Sequence, residues 1–463
     1  MKRALQKTVF LKGRRCASSM RPLKIKIKLM KTKYILLLIF TVSFSWAIAQ
    51  VPTPADPQSE AILLKGGIAH LGNGKVINNS LIGFEQGKLT LVADATTTKI
   101  DVAGYTEIDI SGQHVYPGFI LPDSPVGLEE VSAVRHMNDF DETGELNPNV
   151  RALPAYNTDS ELPPTFRFNG ILMAESRPSG GRISGTSSLM NMDGWNWQDA
   201  ANTPDVAVHM NWPGRTTGRF DFATFTFSRS ANKNYDKQVA EVTSFIDAAI
   251  SYGAIGGKER NLKLEAMQGL FDGSKVLMIH TNGPNEIIES VKMAQHKGIK
   301  KVAIVTGTGA LMVKEFLADN DVPVVIQRVH SMPDRADMDV DLPYRLPVEL
   351  TKAGVKVALG HTGMLALARN LPFYAGTAVA YGLTQEEALK LITINPAEIL
   401  GVGDKTGSLV EGKEATLFVS QGDALDFRTN KLTHAYIQGK EIVIDNKQEA
   451  LFERYSKKYG SED

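Results

Sequence analysis

The 463-residue chain has a single cysteine, Cys16. One thiol excludes a disulfide framework and a cysteine-based zinc site. Net charge is absent too, with 51 Lys+Arg against 51 Asp+Glu. That balance excludes a broadly basic nucleic-acid binder and an acidic disordered chain. No G-x-G-x-x-G follows a first strand, no Gly-rich stretch ends in G-K-[ST], and no H-x-H or H-E-x-x-H occurs, which removes the local signatures of dinucleotide, phosphate and helix-borne zinc sites. With 43% hydrophobic and 22% charged residues the composition is otherwise that of an ordinary globular protein. The length allows one large α/β barrel with an accessory domain, or two to three smaller domains.

The charge balance conceals an uneven front. Residues 1–49 carry twelve basic side chains and no Asp or Glu. From Tyr34 the run YILLLIFTVSFSWAIA is apolar and ends in Ala47-Ile48-Ala49, the small-residue pattern a signal peptidase reads. The run is shorter than the ~20 residues of a bilayer-spanning helix, so the expectation is an exported, periplasmic or secreted protein cleaved after Ala49, with a retained anchor as the alternative. Met30-Lys31-Thr32-Lys33 is a compact n-region by itself, which makes Met30 the expected start of translation. The mature chain then begins at Gln50, loses the only cysteine, and keeps 39 of the 51 basic residues against 51 acidic ones, a net charge of −12.

Past a Pro-rich linker at 50–60, short alternating or β-branched runs fill residues 61–117, with Gln86-Gly87 at a turn; similar runs fill 402–446, ahead of a tail at 447–463. Two β segments flanking everything else predict one small β-sandwich domain assembled from both ends of the chain. Between them, residues 118–401 alternate apolar strands (KVLMIH at 275–280, KVAIV at 301–305, VPVVIQ at 322–327, KVAL at 356–359) with amphipathic helices. This is the pattern of parallel strands covered on the outside. Thr384-Gln385-Glu386-Glu387 is a capping box opening a helix that stops near Asn395-Pro396. The pattern fits a closed barrel or an open doubly wound sheet, and in a barrel the functional groups belong at the C-terminal strand ends.

Three stretches carry a family resemblance. Gly112 to Ile120 (GQHVYPGFI) resembles the segment leading into the first barrel strand of the amidohydrolase superfamily, where G-x-x-V-x-P-G-x-I-D-x-H-x-H is usual. Ile394 to Gly401 (INPAEILG) with Gly407 to Ala415 (GSLVEGKEA) resembles the superfamily's C-terminal signature. The chain is similar to exported, imidazolonepropionase-like members over about 62–444. The resemblance implies an α/β fold, a (β/α)8 TIM-type barrel plus the composite β domain, and a centre of one or two divalent metals, usually zinc. It also implies metal ligands from a His-x-His after the first strand, single histidines after the fifth and sixth, and an Asp after the eighth that handles the proton.

Carried over residue by residue, the His-x-His positions fall on Asp123 and Pro125, the fifth-strand ligand on Asn282, the sixth-strand ligand on Thr306 and the eighth-strand Asp on Thr362. Proline has no donor, and neutral amide and hydroxyl oxygens are weak zinc ligands. The expectation is a degenerate metal centre and a non-catalytic or weakly active protein that binds a small molecule in the barrel mouth or supports an intact relative. The alternative is an active hydrolase of carbon–nitrogen bonds (amide, cyclic amide or small peptide) using a rearranged site. Asp123, His280, His330 and His361 fall at the ends of the first, fifth, seventh and eighth strands, and would hold zinc or another divalent metal if they converge. The segment 123–167 reads as an insert at the mouth or a surface excursion, Ser179 to Thr186 as a Gly-rich barrel loop, and Trp195, Trp197 and Trp212 as covers of core edges. No nucleic-acid partner and no membrane span after cleavage are expected.

Overall fold

The computed structural model describes residues 53–460 apart from 100–101, 222–223, 258 and 334–336. The expected leader, the Met30 start and Cys16 lie outside the described residues. Among the described residues no helix is long and apolar enough to cross a membrane.

Two small sheets open the fold. Strands Ala61–Lys65, Ser80–Glu85, Lys88–Asp94 and Tyr105–Asp109 form the first. Gln86 and Gly87 both have positive φ (50° and 77°), the geometry of a two-residue hairpin whose twist matches its strands. The second sheet takes Ile68–His70, Val76–Ile77 and His114–Pro117 from the front of the chain and Leu417–Ser420, Leu432–Ile437 and Lys440–Glu441 from its end. His114–Pro117 and Leu417–Ser420 pair antiparallel at its centre, so the two ends of the chain are joined by backbone hydrogen bonds.

The remaining eight strands make a nearly closed barrel: β1 (Phe119–Ser124), β2 (Ile171–Ser176), β3 (Ile183–Asn191), β4 (Ala201–Asn211), β5 (Val276–His280), β6 (Val302–Thr306), β7 (Val324–Ile326) and β8 (Val357–Leu359). Seven run in one direction, while β3 is antiparallel to both β2 and β4. The Gly-rich stretch Ser179 to Thr186 is therefore divided between the β2–β3 turn and β3 itself. Gly180 and Gly181 have φ of 82° and 58°, and a Cβ on Gly180 would lie 1.7 Å from Asp141 Oδ1. The turn is thus pressed against the loop that follows β1.

Side chains alternate across each strand. Ile120, Met173, Leu189, Ala207, Met278, Ala303, Val305, Val325 and Ala358 form one buried cluster closed at one end by Ile399, Leu400 and Val402. Leu121, Leu172, Leu277, Ile279, Ile304, Val324, Ile326, Val357 and Leu359 belong to a separate cluster shared with the surrounding helices. The first set fills the barrel, and the second faces its helical coat.

β8 and β1 are not joined by a ladder. The capping box at Thr384 opens a helix over Gln385–Lys390 that ends sooner than the pattern predicts, and a second helix starts at Ile394 with Pro396 in its first turn, where proline is tolerated. The break between them is used: Leu391 O accepts from Leu359 N–H and Ile392 O from Ile120 N–H, both at 2.9 Å. Two carbonyls thus bridge the gap between the last strand and the first.

Phe418 fastens the composite sheet to the barrel. Its ring stacks on Tyr116 (centroids 5.4 Å apart) and meets Phe119 edge-on at 4.9 Å. A Cβ on Gly170, which has φ 84°, would lie 2.6 Å from the same ring. Phe418→Ala is expected to destabilise the fold by about 3–5 kcal/mol, read as a lowered urea midpoint.

Candidate metal centre

The same alternation that fills the barrel places polar side chains one step further along. Two residues beyond Met173 on β2 is Glu175, beyond Ala207 on β4 is His209, and beyond Met278 on β5 is His280; β3 runs the other way, so Ser187 precedes Leu189 by two. On β1 the spacing from Ile120 to Asp123 is three. A register irregularity between Leu121 and Ser124 and a φ of 54° at Asp123 account for the odd step. A left-handed backbone at a residue with a Cβ costs energy, and here it turns Asp123 into the layer formed by the others.

Glu175 is fully buried and binds three of them. Its Oε2 accepts from Asp123 N–H at 2.8 Å, and its Oε1 accepts from Ser187 Oγ at 2.7 Å and faces His209 Nε2 at 2.9 Å. Burial opposes its charge, but His209, Ser187 and the Asp123 amide outweigh that, and the carboxyl is held below its usual range. An ionised Glu175 can only accept at this contact, so His209 Nε2–H donates to it. The Nδ1 lone pair is then left facing His280 Nε2, 3.0 Å away.

Three ligand atoms converge at this point. His209 Nδ1 and His280 Nε2 are 3.0 Å apart, and Asp123 Oδ1 lies 3.5 Å from the His280 nitrogen and 3.9 Å from that of His209. Among the described residues Asp123, His209 and His280 are the one such group able to hold a metal ion. A tetrahedral zinc with bonds of ~2.1 Å needs ligand–ligand distances of about 3.4 Å. The observed triangle fits that size, and a carboxylate with two imidazoles is a suitable donor set. Asp123 Oδ1 is buried and accepts no regular hydrogen bond, although Arg177 Nε forms an ion pair with it. Burial pushes the Asp123 carboxyl upward, with Arg177 and His209 pulling against the rise. His280 is held well below its ordinary value by burial, then by Arg177 and His209, so its imidazole is neutral, as ligation requires.

The other predicted positions lie apart from this group. Thr306 Oγ1 donates to Asn282 Oδ1 at 3.1 Å, and Gly307 N–H donates to the same oxygen at 2.8 Å; the two positions tie the ends of β5 and β6 together. Pro125 is half-buried and Thr362 is exposed. His330 Nε2 pairs with Thr377 Oγ1 at 2.7 Å and packs edge-on against Tyr374. His361 Nε2 donates to Met364 O at 3.1 Å, and Nδ1 accepts from Tyr374 Oη at 2.9 Å, which leaves neither nitrogen for a metal. Of the four residues expected around the mouth, Asp123 and His280 come together, and His330 and His361 are bound to the helix Leu371–Ala380 instead. His209 completes the group and was not among the predicted residues. The signal for it was the apolar run VAVHM at 206–210.

An eight-stranded barrel with carboxylate and imidazole donors at its strand ends, flanked by a β domain made from both chain ends, has the architecture of the amidohydrolases. Comparison with known proteins agrees: residues 237–442 match the amidohydrolase family. An imidazolonepropionase from Flavobacterium psychrophilum is 28% identical over 112 residues. That match covers 22% of this chain and 27% of the relative. An amidohydrolase from Thermotoga maritima superposes with a TM-score of 0.71 at 21% identity, covering 82% of this chain and 99% of the other. A molinate hydrolase superposes at 0.51 and 16% identity, covering 84% and 95%. At these identities the superpositions speak for the fold.

Burial lowers the pKa of His361 to about 4, against the upward pull of its bond to Met364 O. The folded chain holds this imidazole neutral while the unfolded chain protonates it near 6.5, so its contribution to stability is complete above ~6.5 and is lost as pH falls toward 4. The urea midpoint should therefore drop between pH ~7 and ~4.5, and drop less steeply in His361→Gln.

Proposed function

We propose that this chain is a metal-dependent hydrolase of a carbon–nitrogen bond (amide, cyclic amide or small peptide) that holds its cation with a rearranged donor set, Asp123, His209 and His280. The observation that carries this reading is the convergence of these three ligand atoms, with the far nitrogen of His209 held by a buried carboxylate. A carboxylate–histidine pair behind a ligating imidazole fixes its tautomer and raises its basicity. The match of residues 237–442 to the amidohydrolase family supports the reaction class. A divalent cation such as zinc supplies Lewis acidity toward a carbonyl oxygen and makes water a stronger acid. The chain's own residues do the rest: Glu175 orients His209, burial keeps His280 neutral, and the bent backbone at Asp123 aims its carboxylate. The protein assayed is the exported form beginning at Gln50.

A second reading, a ligand-binding protein without catalysis, is favoured by two observations. Arg177 already pairs with Asp123, and Thr362, the position that the resemblance assigns to the proton-handling Asp, is an exposed threonine. Elemental analysis of the purified Gln50 form separates the two. The hydrolase reading expects about one zinc, iron or manganese per chain, lost in His209→Ala, His280→Ala. Protein that is metal-free as isolated and takes up no added zinc would sink it and leave the ligand-binding reading.

A further inference from the structure

Arg177 follows β2 directly. Its backbone N–H donates to Ser124 O at 2.9 Å, which places the residue beside the strand end that carries Asp123. Its Nε forms the ion pair with Asp123 Oδ1, the same oxygen that faces His209 and His280. The Nη1 group is directed elsewhere, donating to Pro178 O at 3.2 Å and to Ser179 Oγ. The side chain is about one-seventh exposed (15%) while that of Asp123 is buried (1%), so the arginine reaches solvent where the carboxylate does not.

The oxygen that a metal would need is therefore already paired with a cation: Arg177 Nε meets the same Asp123 Oδ1 that converges with His209 and His280. Two cations on one carboxylate oxygen repel each other, and an unbalanced charge in a buried site is costly. A divalent cation and the guanidinium thus compete for Asp123.

We propose that Arg177 is a resident counter-cation of the site, and that a divalent metal enters by displacing its guanidinium from Asp123 toward the mouth. This rests on the metal-dependent reading above and adds to it that the centre is exchangeable, with an affinity set by competition between the metal and the arginine. The backbone at 177 is fixed through Ser124 and the turn behind it is pressed against the loop after β1, so the movement is confined to the side chain.

The test is zinc affinity, measured by competition with a chromophoric chelator on the Gln50 form. Arg177→Met should bind zinc about tenfold to a hundredfold more tightly than the wild type, and its metal-free melting temperature should fall and be recovered by zinc. Equal or weaker affinity in Arg177→Met, with the wild type binding, overturns the displacement and leaves the metal site standing. Failure of both proteins to bind zinc overturns both readings. A measurement on the wild type covers a variant that does not fold: phenylglyoxal labelling followed by peptide mapping should show Arg177 more reactive with zinc than without. Unchanged or reduced labelling in zinc-bound protein counts against displacement.

Discussion

The carboxylate of Glu175 is the constraint on which the upper half of the barrel depends. It is buried, and its two oxygens are engaged from three other strands: β1 through the Asp123 amide, β3 through Ser187 and β4 through His209. A buried carboxylate is tolerated only when donors compensate for lost solvent. These donors therefore fix three neighbouring strands relative to β2, and they do so at the level where the apolar filling of the barrel ends. The unusual backbone at Asp123 follows from the same requirement, because the amide at 2.8 Å from Glu175 has to point inward.

That arrangement explains the reversed β3. A hairpin from β2 into β3 brings Ser187 alongside Glu175 over a short turn, where a helical crossover would have returned the strand in the opposite sense with its polar end at the far side of the barrel. The two glycines of the turn are what make so short a return possible.

The strands from 276 to 359 were legible in the sequence because they are short apolar runs between amphipathic helices, and the resemblance to amidohydrolases was legible in the loop signatures. β3 and β4 were not. Their inward faces carry Ser187 and His209 in place of aliphatic residues, so no clean alternation marks them as strands, and Gly180 and Gly181 draw the eye to a loop. His209 was missed with them. Asp123 and His280 were found because their strand ends could be counted from flanking motifs. His330 and His361 were placed at strand ends by the same count, but a count of residues does not say which way a side chain turns; Thr377 and Tyr374 decide that.

The stitch across β8 and β1 has a kinetic side. The amide of Ile120 finds its partner at Ile392, and the strand just before it pairs with Leu417–Ser420. These contacts join residues far apart in the sequence, and closing such loops is slow. Until residues beyond 390 are in place, one flank of β1 carries unpaired backbone groups next to an apolar face, the kind of strand edge that invites association between incomplete chains. A segment made well after the first barrel strand is thus what protects it.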